Sequence, residues 1–317
     1  MAISPALQRP PALIRVLRDL KKNVLKIGKF DLTVPNPELY LAVLKSAFVK
    51  GYEFADYVNR FTEKRIDESA FFMTAGLRGI CEDIIALKFI GQFDPAIRKE
   101  IINLEIAGAV SKASEAQKNF FEKVRPFQPI VKVPSSAADL QKRKDSYKAI
   151  GIQTGLGMIK EKLPPVEQMA ANVGLAEVYD FFYRITSETV HFNVRVALRN
   201  GWGPLNKIEF GTKKFCKYYA QVNQIYGVYL FTLFCDAFKT DLDLDDKFMK
   251  SIKRLSLELS RELRWPEPVT FEEMNMSTPN PILSSVLFIA HMEKHDSAFI
   301  KTLRKRAQRA KTKKQDI

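Results

Sequence analysis

Apolar side chains recur at helical spacing along most of the chain. Leu13, Leu17, Leu20, Val24 and Ile27 stand three or four residues apart with basic residues between them, which predicts an amphipathic basic helix that Gly28 ends. The stretch "VPNPELYLAVLKSAFVKGYEFADYVNRF" restarts a helix after Pro37, with proline in the favoured first turn. A long apolar helix is expected over 66–90, and a more polar one from Pro95 to about Lys123. "RPFQPIVKVPSS" is proline-rich and reads as a connector, the best internal boundary in the chain. Beyond it the pattern predicts helices over 137–148, 165–172, 175–200, 212–238 and 245–263, and a last one from about Pro281 into the tail. "NKIEF" is the one stretch that reads as extended. The class is therefore all-α, a multi-helix bundle with few or no strands. Its expected organisation is a basic amphipathic helix over 1–32, a helical body over 33–300 with a sub-boundary near 126–137, and a basic tail over 301–317.

Composition agrees with a packed core. Hydrophobic residues make up 46% of 317, with 23 Phe and 10 Tyr, which excludes a disordered chain. The three cysteines, Cys81, Cys216 and Cys235, are odd in number and far apart, so they read as free thiols in a reducing compartment. The most apolar run, 14 residues from Ile225, is shorter than a membrane span, and the N-terminus lacks the apolar core of a signal peptide. A cytoplasmic protein without a transmembrane segment is the expectation.

Charge changes the picture. The net charge is +14, of which +5 falls in residues 1–32 and +7 in 301–317, leaving only +2 for the body. Basic ends of this kind suit a polyanion such as nucleic acid, or an acidic membrane surface met by the helix at Leu13–Ile27.

Candidate chemistry centres on "FYRITSETVHF". At about 100° per residue, Val178, Phe182, Ile185, Thr189, Phe192 and Val196 form one apolar stripe, and Tyr179, Tyr183, Val190, Val194 and Ala197 a second. Between them runs a narrow polar strip of Asp180, Arg184, Ser187, Glu188, His191 and Arg195. That pattern predicts a helix packed on both sides whose polar residues line a cleft or an interface. The apolar segment "FFMTAGLRGICEDIIALKFI" supplies partners. Arg78 and Glu82 stand one turn apart and can pair, and the Glu82 carboxylate could be matched by Arg184 or protonated His191 from a neighbouring helix. A buried ion-pair network that fixes helix register accounts for the same residues equally well.

"PPVEQMAANVGLAEVYDFFYRITSETVHFN" resembles a family of bacterial all-helical proteins of uncharacterised function. Its signature runs Tyr183, Arg184, Ser187 and His191, with Arg78 and Glu82 on a preceding helix. More distantly, Arg184-x6-His191 is similar to the Arg-x4-6-His motif of the HEPN superfamily, helical bundles that are often metal-independent RNases. Ile185 departs from that pattern, which usually places Asn, Asp or His after the arginine. The resemblance implies an RNase, a toxin or antiphage effector, that dimerises so that two motifs meet, uses no cofactor or metal, and captures RNA through its basic termini. Neutral imidazole can take the proton of an RNA 2′-OH, and a guanidinium can stabilise the charged phosphorane. In that scheme Ser187 or Tyr183 holds a phosphate oxygen and Glu82 orients His191 or Arg184. The alternative is a non-catalytic helical module that binds protein or nucleic acid, with Arg78, Glu82, Arg184 and His191 as a structural network.

Other patterns carry less. His291 and His295 have the one-turn spacing of paired metal ligands but lack the glutamate of a zincin, and a site joining them to His191 and Glu82 would have to be assembled by folding. No Gly-x-Ser-x-Gly elbow is present. The three glycines of "GIQTGLGMIKEKLPP" match no phosphate-binding loop. The aromatic stretch "FCKYYAQVNQIYGVYLFTLF" could stack bases but at helical spacing reads as core.

Overall fold

A computed structural model describes residues 11–269 except 32, 34, 36, 61–67, 131–136, 192, 203–208 and 263–264. Among the described residues the chain forms α1 (Pro11–Ile27), α2 (Leu39–Asn59), α3 (Ala70–Ile90), α4 (Pro95–Val124), α5 (Ala137–Thr154), α6 (Val166–Asn172), α7 (Ala176–Val190), α8 (Val194–Arg199), α9 (Cys216–Ala237) and α10 (Asp246–Ser260). The fold is all-α. The only β structure described is one antiparallel pairing of β1 (Gly201–Trp202) with β2 (Glu209–Phe210), the second of which falls in the stretch that reads as extended. The expected last helix, His291, His295, residues 1–10 of the basic N-terminal segment and the basic tail over 301–317 lie outside the described residues.

The apolar helices α3 and α9 meet at the centre. α2 and α10 flank α9, α1 closes over α2 and α10, and α6 and α7 cover the other side of α3. Phe231 of α9 is fully buried between Phe48 and Tyr52 of α2, with ring centres 5.8 and 5.6 Å away. Buried hydroxyls and amides are spent on carbonyls of neighbouring segments. Tyr52 Oη donates to Leu17 O at 2.7 Å, Asn223 Nδ2 to Ala70 O at 2.7 Å, and Gln224 Nε2 to Val58 O at 2.8 Å. Each bond satisfies a group that would otherwise be costly to bury, and each fixes the register of two elements.

α1 is amphipathic as its spacing predicts, and its apolar face is already used. Leu13, Val16, Leu17, Leu20 and Val24 are all buried in the common core. A membrane-surface role for this helix is therefore corrected: the face that would enter lipid is packed on α2 and α10. Gly28 follows the last turn because a Cβ there would overlap the Val49 side chain. No described helix is long and apolar enough to cross a membrane.

The helix expected over 175–200 breaks in two. Residue 191 is extended, at φ −106° and ψ 158°, and α8 begins at Val194. Asn193 Oδ1 accepts the Val196 N–H at 3.2 Å, the bond of an N-cap. On the other side of the break Thr186 and Thr189 turn their hydroxyls onto the carbonyls of Phe182 and Thr186, which weakens the hold of the last turn. The ion pair of Glu188 with Arg195 spans the break, and Arg195 Nη1 and Nη2 each donate to Pro268 O at 3.0 Å.

Candidate functional site

α7 lies along α3, with Phe182 and Ile185 buried. Its second apolar stripe is not covered as its spacing predicts. Tyr179 packs against the core, but Tyr183 is 39% exposed and Val190 is exposed, and Val194, now on α8, is exposed as well. Tyr183 still has a partner: the Arg78 guanidinium lies 4.8 Å from its ring centre, a cation–π contact across α3 and α7. Arg78 Nε donates to Glu82 Oε1 at 2.6 Å. That bond raises the Arg78 pKa above the ordinary arginine value, more than burial lowers it. The Tyr179 ring lies tilted against that of Tyr183, with centres 5.7 Å apart, and its phenol is pushed up by burial first and then by the Glu82 charge. The structure thus brings Arg78, Glu82, Tyr179 and Tyr183 together as a half-buried tie between two helices.

Arg184 and His191 stand apart from that tie. Tyr183 faces α3, so Arg184, about 100° round the helix, turns outward. Its Nε donates to both Asp180 carboxylate oxygens at 3.0 Å, and both side chains are well exposed. The carboxylate raises the Arg184 pKa. His191 is exposed at the C-terminal end of α7, where its N–H donates to Ser187 O at 2.9 Å. Seven residues of helix advance about 10.5 Å, and Arg184 reaches back toward Asp180, away from the imidazole. Glu82 is matched by Arg78 of its own helix, and its charge acts on Tyr179, three turns before His191. Ser187 is half-buried beside the break.

The remaining chemistry-bearing groups are quiet. Burial pushes the Cys81 thiol up to about 12 and the Cys235 thiol well above its ordinary value. Among the described residues no three His, Cys, Asp or Glu side chains gather as metal ligands.

A second surface is assembled only by folding, from segments far apart in the chain. An open trough of about 1280 Å³ is bounded by α5, the 155–165 loop and Lys112 of α4. Its lining carries Lys112, Arg143, Lys144, Lys148, Lys160 and Lys162 against one carboxylate, Glu161. Gly155, at φ +68°, turns the chain back over α5, and Gly151 admits the Ile159 carbonyl at a point where a Cβ would overlap it. Tyr147, buried on the inner face of α5, donates to Glu105 of α4 and fixes the other wall. Arg143 crosses Gly108 of α4, where an added Cβ would lie 2.7 Å from Nη1.

The fold and this site define an all-helical protein with an exposed Arg/His helix end and a cationic trough in its body. The chain belongs to the family of unknown function DUF5677, which matches residues 41–204, just over half of the chain. The match takes in nearly all of α2 and the whole of α3 to α8, and with them Arg78, Glu82, Tyr183, Arg184, Ser187, His191 and the lining of the trough. No curated protein and no solved structure matches the chain.

Proposed function

We propose that the protein is a HEPN-like, metal-independent endoribonuclease acting through the outer end of α7, with His191 as general base and Arg184 as the phosphate-binding cation. The observation that carries this reading is the openness of both groups: Arg184 and His191 are each exposed in the C-terminal half of α7 and at its end, where a strand can reach them. The RNA 2′-oxygen attacks the adjacent phosphorus as His191 takes its proton, the P–O5′ bond breaks, and the 5′-oxygen takes a proton from solvent. The products are a 2′,3′-cyclic phosphate and a 5′-hydroxyl. Arg184 meets the charge that develops on the phosphorane once it leaves Asp180; an exposed ion pair one turn apart is weak enough to yield to a phosphate. Arg78, Glu82 and Tyr183 position α7 on α3. Growth arrest by cleavage of cellular RNA, as in a toxin or antiphage effector, is the biological role this chemistry fits, and pairing of two copies would bring the separated Arg184 and His191 of each motif toward one strand.

The test is RNA cleavage by purified protein in EDTA. His191→Ala and Arg184→Ala should each abolish cleavage while melting as the wild type does. Intact RNA after incubation with active-concentration wild-type protein sinks the reading.

A second reading is a non-catalytic nucleic-acid-binding module with a structural polar network. It is favoured by the way Arg78 closes on Glu82 and Tyr183, leaving neither charge directed at a substrate. Under it, His191→Ala binds RNA as the wild type does and deletion of 301–317 weakens binding.

A further inference from the structure

We propose that the trough between α5 and the 155–165 loop holds the phosphate backbone of a single nucleic-acid strand. The proposal rests on the ribonuclease reading only in taking RNA as one of its probes. Six cationic side chains against one carboxylate give the lining a net charge of +5, in a body that carries only +2 beyond its two basic ends. The charge is gathered by folding from three separate segments: Lys112 on α4, Arg143, Lys144 and Lys148 on α5, and Lys160 and Lys162 on the loop.

The geometry already shows how two of these groups converge on an anion. Glu161 receives Lys144 Nζ at 3.0 Å on Oε2 and Lys148 Nζ at 3.5 Å on Oε1. These two lysines are one turn apart on α5, about 6 Å along the axis, so a chain of phosphates running along the helix meets them in succession. Lys148 also lies 3.8 Å from Asp145 outside the lining, which leaves the α5 wall less positive than its lysines alone would make it. Lys160 and Lys162 flank Glu161 and are exposed, as is Lys112 on α4. An ammonium is a flexible point charge suited to phosphate oxygens without base selection, and the described lining holds no aromatic ring for stacking, so the trough should follow the backbone and not the sequence. A concave surface lined by cations from three segments encloses a thin polyanion. A bilayer would instead need an exposed convex face, and the apolar face of α1 that might have supplied one is buried.

The test is binding of a fluorescent 12-nucleotide strand to the full-length protein across a salt series, in RNA and in DNA of the same sequence. DNA lacks the 2′-OH and cannot be cut by the proposed chemistry, so binding is read independently of cleavage. Removing two phosphate contacts from a single strand lowers the slope of log K against log salt by about 1.4, which at 0.1 M salt is roughly 25-fold in affinity. K144Q/K148Q should show that loss for both strands, and Glu161→Gln should bind more tightly than the wild type. The double variant K250Q/K253Q removes the same charge from α10 and should leave binding nearly unchanged. The proposal is overturned if K144Q/K148Q binds like the wild type, if the α10 variant loses as much, or if the lysines matter for vesicles of anionic lipid and not for either strand. Failure of the ribonuclease reading looks different: DNA and RNA still bind with the trough dependence, and RNA stays whole.

Discussion

The Arg78 guanidinium rests 4.8 Å from the centre of the Tyr183 ring, joining the most apolar helix of the bundle to the helix that carries His191. The same guanidinium is held by Glu82 at 2.6 Å, so one cation serves two partners on two helices. A half-buried cation–π contact with a charge-assisted bond contributes about 1–2 kcal/mol. Arg78→Ala should lower the unfolding free energy by about that much, seen as a lower urea midpoint, and Tyr183→Phe should change it little because the ring remains. Equal losses in Tyr183→Phe and Arg78→Ala would show that the hydroxyl, and not the ring face, is the partner.

At the break after α7, Arg195 joins Glu188 and the Pro268 carbonyl, and both charged side chains are mostly buried. Truncating one partner strands the other in a poorly solvated place. Arg195→Ala should cost roughly 2 kcal/mol in unfolding free energy. It should also raise hydrogen exchange in α8 and around Pro268, while exchange in α2 stays as it was. Loss confined to neither segment would mean that the bridge does not pin them.

Much of the fold is legible because it depends on local rules. The spacing of Leu13, Leu17, Leu20 and Val24 marks the buried face of α1, and Pro95 stands at the first turn of α4. The break at residues 191–193 is not legible in the same way. Helical spacing of apolar residues continues through it in the sequence, from Ile185 to Val196, and only the extended backbone of residue 191 and the capping bond of Asn193 reveal that the helix has restarted. The site divides along the same line. Arg78 and Glu82 pair as their spacing allows, but the partner of Arg184 is Asp180, one turn back on its own helix, because Tyr183 has taken the face toward α3. The trough was hidden by averaging: acidic and basic residues nearly cancel over the body, and only the fold brings Lys112, Lys148 and Lys160 together.

Glu161 offers a pH probe of the trough. Its hydrogen bond with Lys144, helped by the charges of Lys144 and Lys148, holds its carboxyl below the ordinary glutamate value. A depressed carboxylate stabilises the fold above its unfolded pKa and loses that contribution as pH falls through its folded pKa. Protonation also removes the one negative charge from the lining, so strand affinity should rise as pH falls through that value. Carbon-13 NMR should place the Glu161 titration below that of exposed glutamates, and Lys144→Gln should move it up. An unmoved titration in Lys144→Gln would show that Lys144 does not hold the carboxylate in solution.

The thiols should divide by burial. Cys81 is pushed up to about 12 and Cys235 well above its ordinary value, both by burial, whereas Cys216 is half-buried. Only a thiolate reacts readily. At pH 8 a thiol reagent should label Cys216 first, and the other two only on the timescale of unfolding. Rapid labelling of all three in folded protein would show that α3 and α9 open at their centre.

Asp180 bears most directly on whether the α7 end is catalytic. It holds Arg184 with two 3.0 Å contacts on an exposed face, turned away from His191. If Arg184 must leave Asp180 to meet a phosphate, the carboxylate is a competitor of the substrate. Asp180→Asn should then raise RNA cleavage several-fold through a lower KM, with the urea midpoint unchanged because an exposed pair adds little to stability. A merely structural pair predicts a different pattern, in which Asp180→Asn leaves cleavage and binding alone. A fall in cleavage would mean that Asp180 aims the guanidinium productively, and the release step proposed for Arg184 would have to be abandoned.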